Sequence, residues 1–241
     1  MINWFDASLI SLLNHAAGRS WVFDVAVGAL WATHVTVEVL LMAYWWIWFQ
    51  RDDTAANRTR EALVASVIGL FVALALSLVV FVAFPSYGRP LHANALARLP
   101  FGVSPETTHT HPAFPSHHAL VAFVLVTGLF SVSRAMGVVG AIYAVVSIGA
   151  PSVYLGLHYP TDILGGALLG IAVAGVLNVS PIRRAVAARI VDFAARQPAT
   201  FYAVAFMVTL QIATLFDDAF PFLRWLMGML RAVRPQSAGI L

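Results

Sequence analysis

Five apolar stretches recur along the chain, at 62–84, 116–133, 135–157, 163–182 and 197–216, each close to the length that crosses a bilayer. A hydrocarbon layer about 30 Å thick takes about 20 helical residues at about 1.5 Å each. A sixth stretch, 21–49, is long enough but is interrupted by Asp24, His34 and Glu38. In lipid each segment must satisfy its own backbone polar groups, so runs of this length fold as helices. The expected fold is all-α: a polytopic helical membrane bundle of six transmembrane helices, with interfacial helices at the termini. No internal repeat or low-complexity linker divides the chain, so a single integral-membrane domain covering residues 1–241 is expected.

Composition agrees with a chain that meets lipid over most of its surface. Of its 241 residues, 60% are hydrophobic and only 10% are charged, and the mean hydropathy is +0.82. A soluble domain carries about 25% charged residues. Every one of the 14 basic residues is an arginine, against 11 acidic ones, and the net charge of +3 is too small and scattered to argue for nucleic acid. The absence of cysteine excludes disulfides, thiolate chemistry and Cys-ligated zinc. The first residues carry no basic leader, so they do not read as a cleaved signal. MINWFDASLISLLNHAAG reads instead as a short amphipathic helix at the interface, with Phe5, Leu9, Leu12 and Leu13 on one side, or as a loose tail.

The arginines set the expected orientation. Arg51, Arg58 and Arg60 follow the first span, Arg134 lies between the third and fourth, and Arg183, Arg184, Arg189 and Arg196 lie between the fifth and sixth. In a six-span count these connections share one side, which the positive-inside rule makes cytoplasmic. Arg224, Arg231 and Arg234 run against this scheme unless AFPFLRWLMGMLRAVRPQ is a second interfacial helix.

The opposite side collects the chemistry. The long connection 85–115 opens with Arg89-Pro90 and closes with Pro115, Ser116, His117 and His118. The next connection on that side, in PSVYLGLHYPTDILGG, carries His158 and Asp162. Topology alone therefore brings Arg89, Ser116, His118, His158 and Asp162 to one membrane face. A helix start after a proline offers free N–H groups and a positive dipole end to an anion. An arginine can add a bidentate grip on phosphate. A carboxylate four residues from a histidine can hold one ring nitrogen and leave the other as a nucleophile, while a second imidazole protonates the departing oxygen. Each cluster alone would read as a helix boundary or an interfacial polar residue. On one face of so uncharged a chain, they read jointly as a metal-free phosphoryl-transfer site.

These clusters resemble the signature of the type-2 phosphatidic acid phosphatase family, whose pattern is K-x6-R-P, then P-S-G-H, then S-R-x5-H-x3-D. The counterparts are YGRP, PSHH and PSVYLGLHYPTD, within a signature region of 82–166. The short chain and outward-facing site resemble bacterial undecaprenyl-diphosphate phosphatases most. The resemblance implies His158 as nucleophile, Asp162 as its orienting carboxylate, His118 as general acid, and Arg89 and Ser116 as phosphate ligands; His117, at the family glycine, is expected to add a donor to the bound phosphate. It also implies a multi-pass protein of the bacterial inner membrane with its site facing the periplasm. The implied substrate is a lipid phosphate or diphosphate, turned over with no metal or cofactor and no obligate protein partner. Val82 stands at the family lysine, Ser152 at the third-motif arginine and His117 at the second-motif glycine. Arg98, His92, His109, His111 and His117 are the candidate replacements for the absent cations. A relative that binds or moves a lipid phosphate without hydrolysing it, or a lipid phosphotransferase, would share these features.

Other polar residues carry less. His34 and Glu38, four apart, suggest a buried contact between helices, and His109 and His111 are too few for zinc. The seven tryptophans, Trp31 among them, read largely as interfacial anchors. Gly166 and Gly170, four apart, predict close helix packing.

Overall fold

The computed structural model describes residues 2–32, 35–50, 54–83, 88–93, 95–104 and 113–215. These residues form ten α-helices and no strand: α1 (Trp4–Asn14), α2 (Trp21–Ala32), α3 (Val35–Phe49), α4 (Thr54–Ala83), α5 (His117–Val132), α6 (Arg134–Ala144), α7 (Ala150–Tyr154), α8 (Pro160–Leu177), α9 (Ser180–Arg196) and α10 (Pro198–Ala213). The protein is a helical membrane bundle.

Three described segments are long and apolar enough to cross a membrane: Ala56–Val80, Arg134–Tyr154 and Pro160–Leu177. The expected first span, 21–49, is two helices, α2 and α3, bent by 51°. Counted together they make a fourth crossing, and α5 and α10 are shorter apolar helices. The expected C-terminal interfacial helix lies outside the described residues, as do His34, His109 and His111.

The span Arg134–Tyr154 is not a uniform α-helix. Its residues Val145–Gly149 adopt a π-helix before α7 begins. Pro151 explains the widening, because it has no N–H to donate into the preceding turn and its ring crowds the carbonyl four residues back.

The core is built around α5. Leu120, Val121, Val124 and Leu125 are fully buried, and the cluster extends to Leu40 and Tyr44 of α3, Leu63 and Leu70 of α4, and Ala174 of α8. A helix apolar all round belongs in the middle of a bundle. The outer helices are the reverse, with Leu78, Val139, Leu168 and Met207 exposed, as a surface that meets acyl chains requires. The arginine-rich connection is itself a helix, α9, which buries Ala187, Val191 and Ala194.

The contact that positions the site is the one between α5 and α8. A Cβ on Gly166 would collide with the Ser116 carbonyl oxygen, and one on Gly170 would sit 2.6 Å from the Leu120 carbonyl oxygen. With only hydrogens at both positions, the backbones approach closely, as the glycine spacing predicts.

The N-terminal segment is a helix, α1, and the structure shows which of its sides turns inward. Its buried residues are Asp6, Ile10 and Asn14, whereas Phe5 and Leu12 are exposed. Asp6 explains the inward side, since its carboxylate accepts the Thr161 N–H at 2.9 Å and the Thr161 hydroxyl at 2.8 Å. The polar edge of α1 ties it to the first turn of α8, leaving Phe5 and Leu12 outward while Leu13 packs inward.

Candidate active site

The start of α5 and the turn before α8 meet at one end of the bundle. Ser116 is the N-cap of α5, in an extended conformation, and its Oγ accepts the Ala119 N–H at 3.5 Å. The Ser116 N–H donates to the Asp162 carbonyl at 3.1 Å. Proline opens α8, at Pro160, where its missing N–H costs nothing. The Asp162 carboxylate reaches back to accept the Tyr159 N–H at 2.7 Å. The sequence therefore places Asp162 at the helix start partly because the cap needs a carboxylate there.

His158 sits between these two starts and is nearly fully buried. Its Nδ1 is 2.9 Å from the Ala113 carbonyl oxygen and 3.7 Å from Asp162 Oδ2. The nearer carbonyl is the hydrogen-bond acceptor, and the carboxylate acts on the ring through space. A carbonyl can only accept, so Nδ1 carries the proton and Nε2 keeps its lone pair.

The Arg89 segment is brought in by a turn. Leu91 N–H donates to the Gly156 carbonyl at 2.9 Å, and Gly156 has φ +69, a conformation that side chains resist. Arg89 is half-buried. Burial lowers its pKa from the ordinary value, and the Asp162 carboxylate works against that shift. The guanidinium stays charged, so a cation lies within the field of Asp162.

His117 is exposed and His118 half-buried at the first turn of α5. The His118 ring lies 5.4 Å from the Trp31 ring, tilted by 34°. Trp31 in turn packs against the cluster of Tyr154, Leu155 and Leu157, the residues leading into His158. Trp31 is thus a wall of the site and not an anchor in the lipid interface. All six expected site residues, Arg89, Ser116, His117, His118, His158 and Asp162, are gathered at this end. Ser116 has no exposed surface, and its hydroxyl serves the helix cap.

The absent cations have no substitute at their own positions. Ser152, at the family arginine, is fully buried and its Oγ has no hydrogen-bond partner among the described residues. Val82 falls in the last turn of α4. Of the proposed replacements, His117 stands at the site, His92 lies in the turn after Arg89, and Arg98 lines a different cleft beside α1.

Sequence reading missed one buried hub. Asp24 accepts the Gly18 N–H at 3.0 Å and the Phe101 N–H at 2.8 Å, and its other oxygen accepts the Tyr154 hydroxyl. This carboxylate joins α2, the 98–101 segment and α7 behind the His158 turn. The signal was visible, because an acid inside an apolar segment needs partners.

Residues 66–184 match the PAP2 superfamily. Across that region, just under half of its length, the chain is similar to the PAP2 superfamily. The matched region holds the whole of α5 and α8, and with them Arg89, Ser116, His118, His158 and Asp162. Among curated proteins, the chain is similar to "Putative undecaprenyl-diphosphatase YbjG" of Escherichia coli (strain K12). The two are 28% identical over 171 residues, 70% of this chain and 79% of the relative. No solved structure matches the chain. PAP2 members are phosphatases, so the coarse activity both comparisons support is that of a membrane lipid phosphatase.

Proposed function

We propose that this PAP2 protein removes the terminal phosphate from a polyprenyl diphosphate, such as undecaprenyl diphosphate, through a phosphohistidine on His158. The observation that carries the reading is the His158 Nδ1 contact to the Ala113 carbonyl at 2.9 Å, which reserves Nε2 for attack. Nε2 bonds to the terminal phosphorus, and the bond from that phosphorus to the bridging oxygen breaks. The departing lipid monophosphate takes a proton from His118. His118 then removes a proton from water, the resulting hydroxide attacks phosphorus, and the N–P bond breaks to release phosphate and restore both imidazoles.

Asp162 favours the transient positive charge on His158 from 3.7 Å. Arg89 and His117 face the transferring phosphoryl oxygens, where donors fixed in advance contribute most. By the positive-inside reasoning, the site faces the periplasm from the inner membrane.

The test is phosphate release from undecaprenyl diphosphate by the purified chain in detergent. His158→Ala and His118→Ala are each expected to abolish it, and brief incubation with labelled substrate is expected to leave acid-labile phosphate on wild type alone. Full turnover by either variant overturns the mechanism. A second reading is motivated by the neutral Ser152 at the family arginine: a relative that binds a lipid phosphate and turns it over poorly or not at all. Tight binding with no turnover across a wide pH range would favour it.

A further inference from the structure

Away from the histidine cluster, α1 and the 95–98 segment enclose an open cleft of about 270 Å³. Its polar lining comes from Ser11, Asn14, His15, Arg19 and Arg98. Asn14 builds the junction: its Nδ2 donates to the Arg98 carbonyl at 2.7 Å, and its Oδ1 accepts the Arg98 N–H at 2.9 Å. Both ends of the amide are consumed by backbone, so the Arg98 side chain is held at the cleft by its own main chain.

The charge in this cleft is one-sided. Among the described residues, two guanidiniums line it and no carboxylate does. Arg19 Nη2 lies 2.8 Å from His15 Nε2. An arginine only donates, so that imidazole nitrogen accepts, and the ring is neutral with its proton on Nδ1. The cleft therefore offers donors in excess: two forked cations, an imidazole N–H and the Ser11 hydroxyl. Like charges sharing a cavity repel, and a counter-anion with several acceptor oxygens relieves that cost.

The surroundings say which anion. Trp4, Phe5 and Leu12 on the same helix are exposed, a side suited to the acyl boundary, with tryptophan at headgroup level. A cleft on the polar edge of such a helix lies at the depth of lipid phosphates. We propose that Arg19, Arg98 and His15 form a binding site for the headgroup phosphate of an anionic membrane phospholipid. None of the six catalytic-site residues lines the cleft, and this site stands independently of the phosphatase reading.

The test uses the full chain in a non-ionic detergent, with short-chain phosphatidylglycerol as probe and native mass spectrometry and thermal shift as readouts. Wild type and His158→Ala are expected to bind the probe equally and to melt at higher temperature with it. Arg19→Gln/Arg98→Gln is expected to lose at least about tenfold in affinity, with an unchanged melting temperature when no lipid is added. Arg98→Lys, which keeps the charge, is expected to retain most of the binding. Undiminished binding by the double glutamine variant overturns the site, as does loss of binding in His158→Ala. Equal binding of short-chain phosphatidylcholine overturns the anionic selectivity. Saturation by inorganic phosphate at the same concentration, with no added gain from the lipid, overturns the lipid assignment. A double variant that melts early without lipid is replaced by Arg98→Gln alone, for which undiminished binding again overturns the site.

Discussion

His158 donates its Nδ1 hydrogen to the carbonyl of Ala113 at 2.9 Å, so the segment leading into α5 holds the imidazole that precedes α8. A second link runs the same way, from the Ser116 N–H to the Asp162 carbonyl at 3.1 Å. The ring is thereby oriented by main chain from a segment 45 residues away, and the Asp162 carboxylate is left to act electrostatically and to cap its own helix. Separating those two duties gives the first prediction.

Asp162→Asn is expected to keep the fold and lose activity. An amide oxygen still accepts the Tyr159 N–H, so the melting temperature should move by only a few degrees. Without a negative charge near His158, kcat for phosphate release is expected to fall on the order of 10²- to 10⁴-fold. Asp162→Ala should lose the cap as well, costing about 0.5–2 kcal/mol of stability. A fully active Asp162→Asn enzyme would show that the carboxylate is only a cap.

Trp31 is expected to matter through His118. An aromatic face beside an imidazolium is worth about 0.5–2 kcal/mol, so Trp31→Leu should slow hydrolysis of a lipid diphosphate by between about 2- and 30-fold. Trp31→Phe should recover much of that loss. An aryl phosphate, whose leaving group departs with little help from an acid, should be turned over almost normally by Trp31→Leu. Equal loss on both substrates would mean that the indole supports the fold rather than the acid.

The α5–α8 contact is expected to tolerate no added atom at Gly166. Gly166→Ala drives a methyl group into the Ser116 carbonyl, with backbone on both sides and no flexible end to move. Such overpacking costs about 1–3 kcal/mol, and because Ser116 also touches Asp162, activity should fall along with the melting temperature. Gly175→Ala is the control, since a Cβ there meets nothing within 4 Å, and its melting curve should match wild type.

Tyr159 is expected to make the fold sensitive to alkali. Burial raises the pKa of its hydroxyl above the usual value near 10, and Asp162 and Asp6 raise it further. The folded state then holds the proton where the unfolded chain has released it, so stability is level below about pH 10 and falls as pH rises through the shifted value. Chemical denaturation across that window should show a shallower alkaline decline for Tyr159→Phe than for wild type. Parallel curves would remove Tyr159 as the cause.

Much of the architecture was legible in the order of residues. Long apolar runs have one solution in lipid, so the helical bundle followed from length and hydropathy alone, and the glycines four apart at 166 and 170 announced a close helix contact, whose partner, α5, the structure supplied. That Arg89, Ser116, His118, His158 and Asp162 share one end was the expectation from counting spans, because alternate connections return the chain to the same side. Tertiary structure decided what counting cannot reach. Trp31 reads like any interfacial tryptophan until α2 is seen folded against His118, and Asp24 looks like a flaw in a span until Gly18, Phe101 and Tyr154 converge on it. The same holds for α1, whose apolar side was plain in sequence but whose Asp6 and Asn14 face inward because their partners, Thr161 and Arg98, are distant along the chain. Hydropathy is a property of each segment by itself, whereas a buried polar group is satisfied only by whatever the fold places within about 3 Å of it.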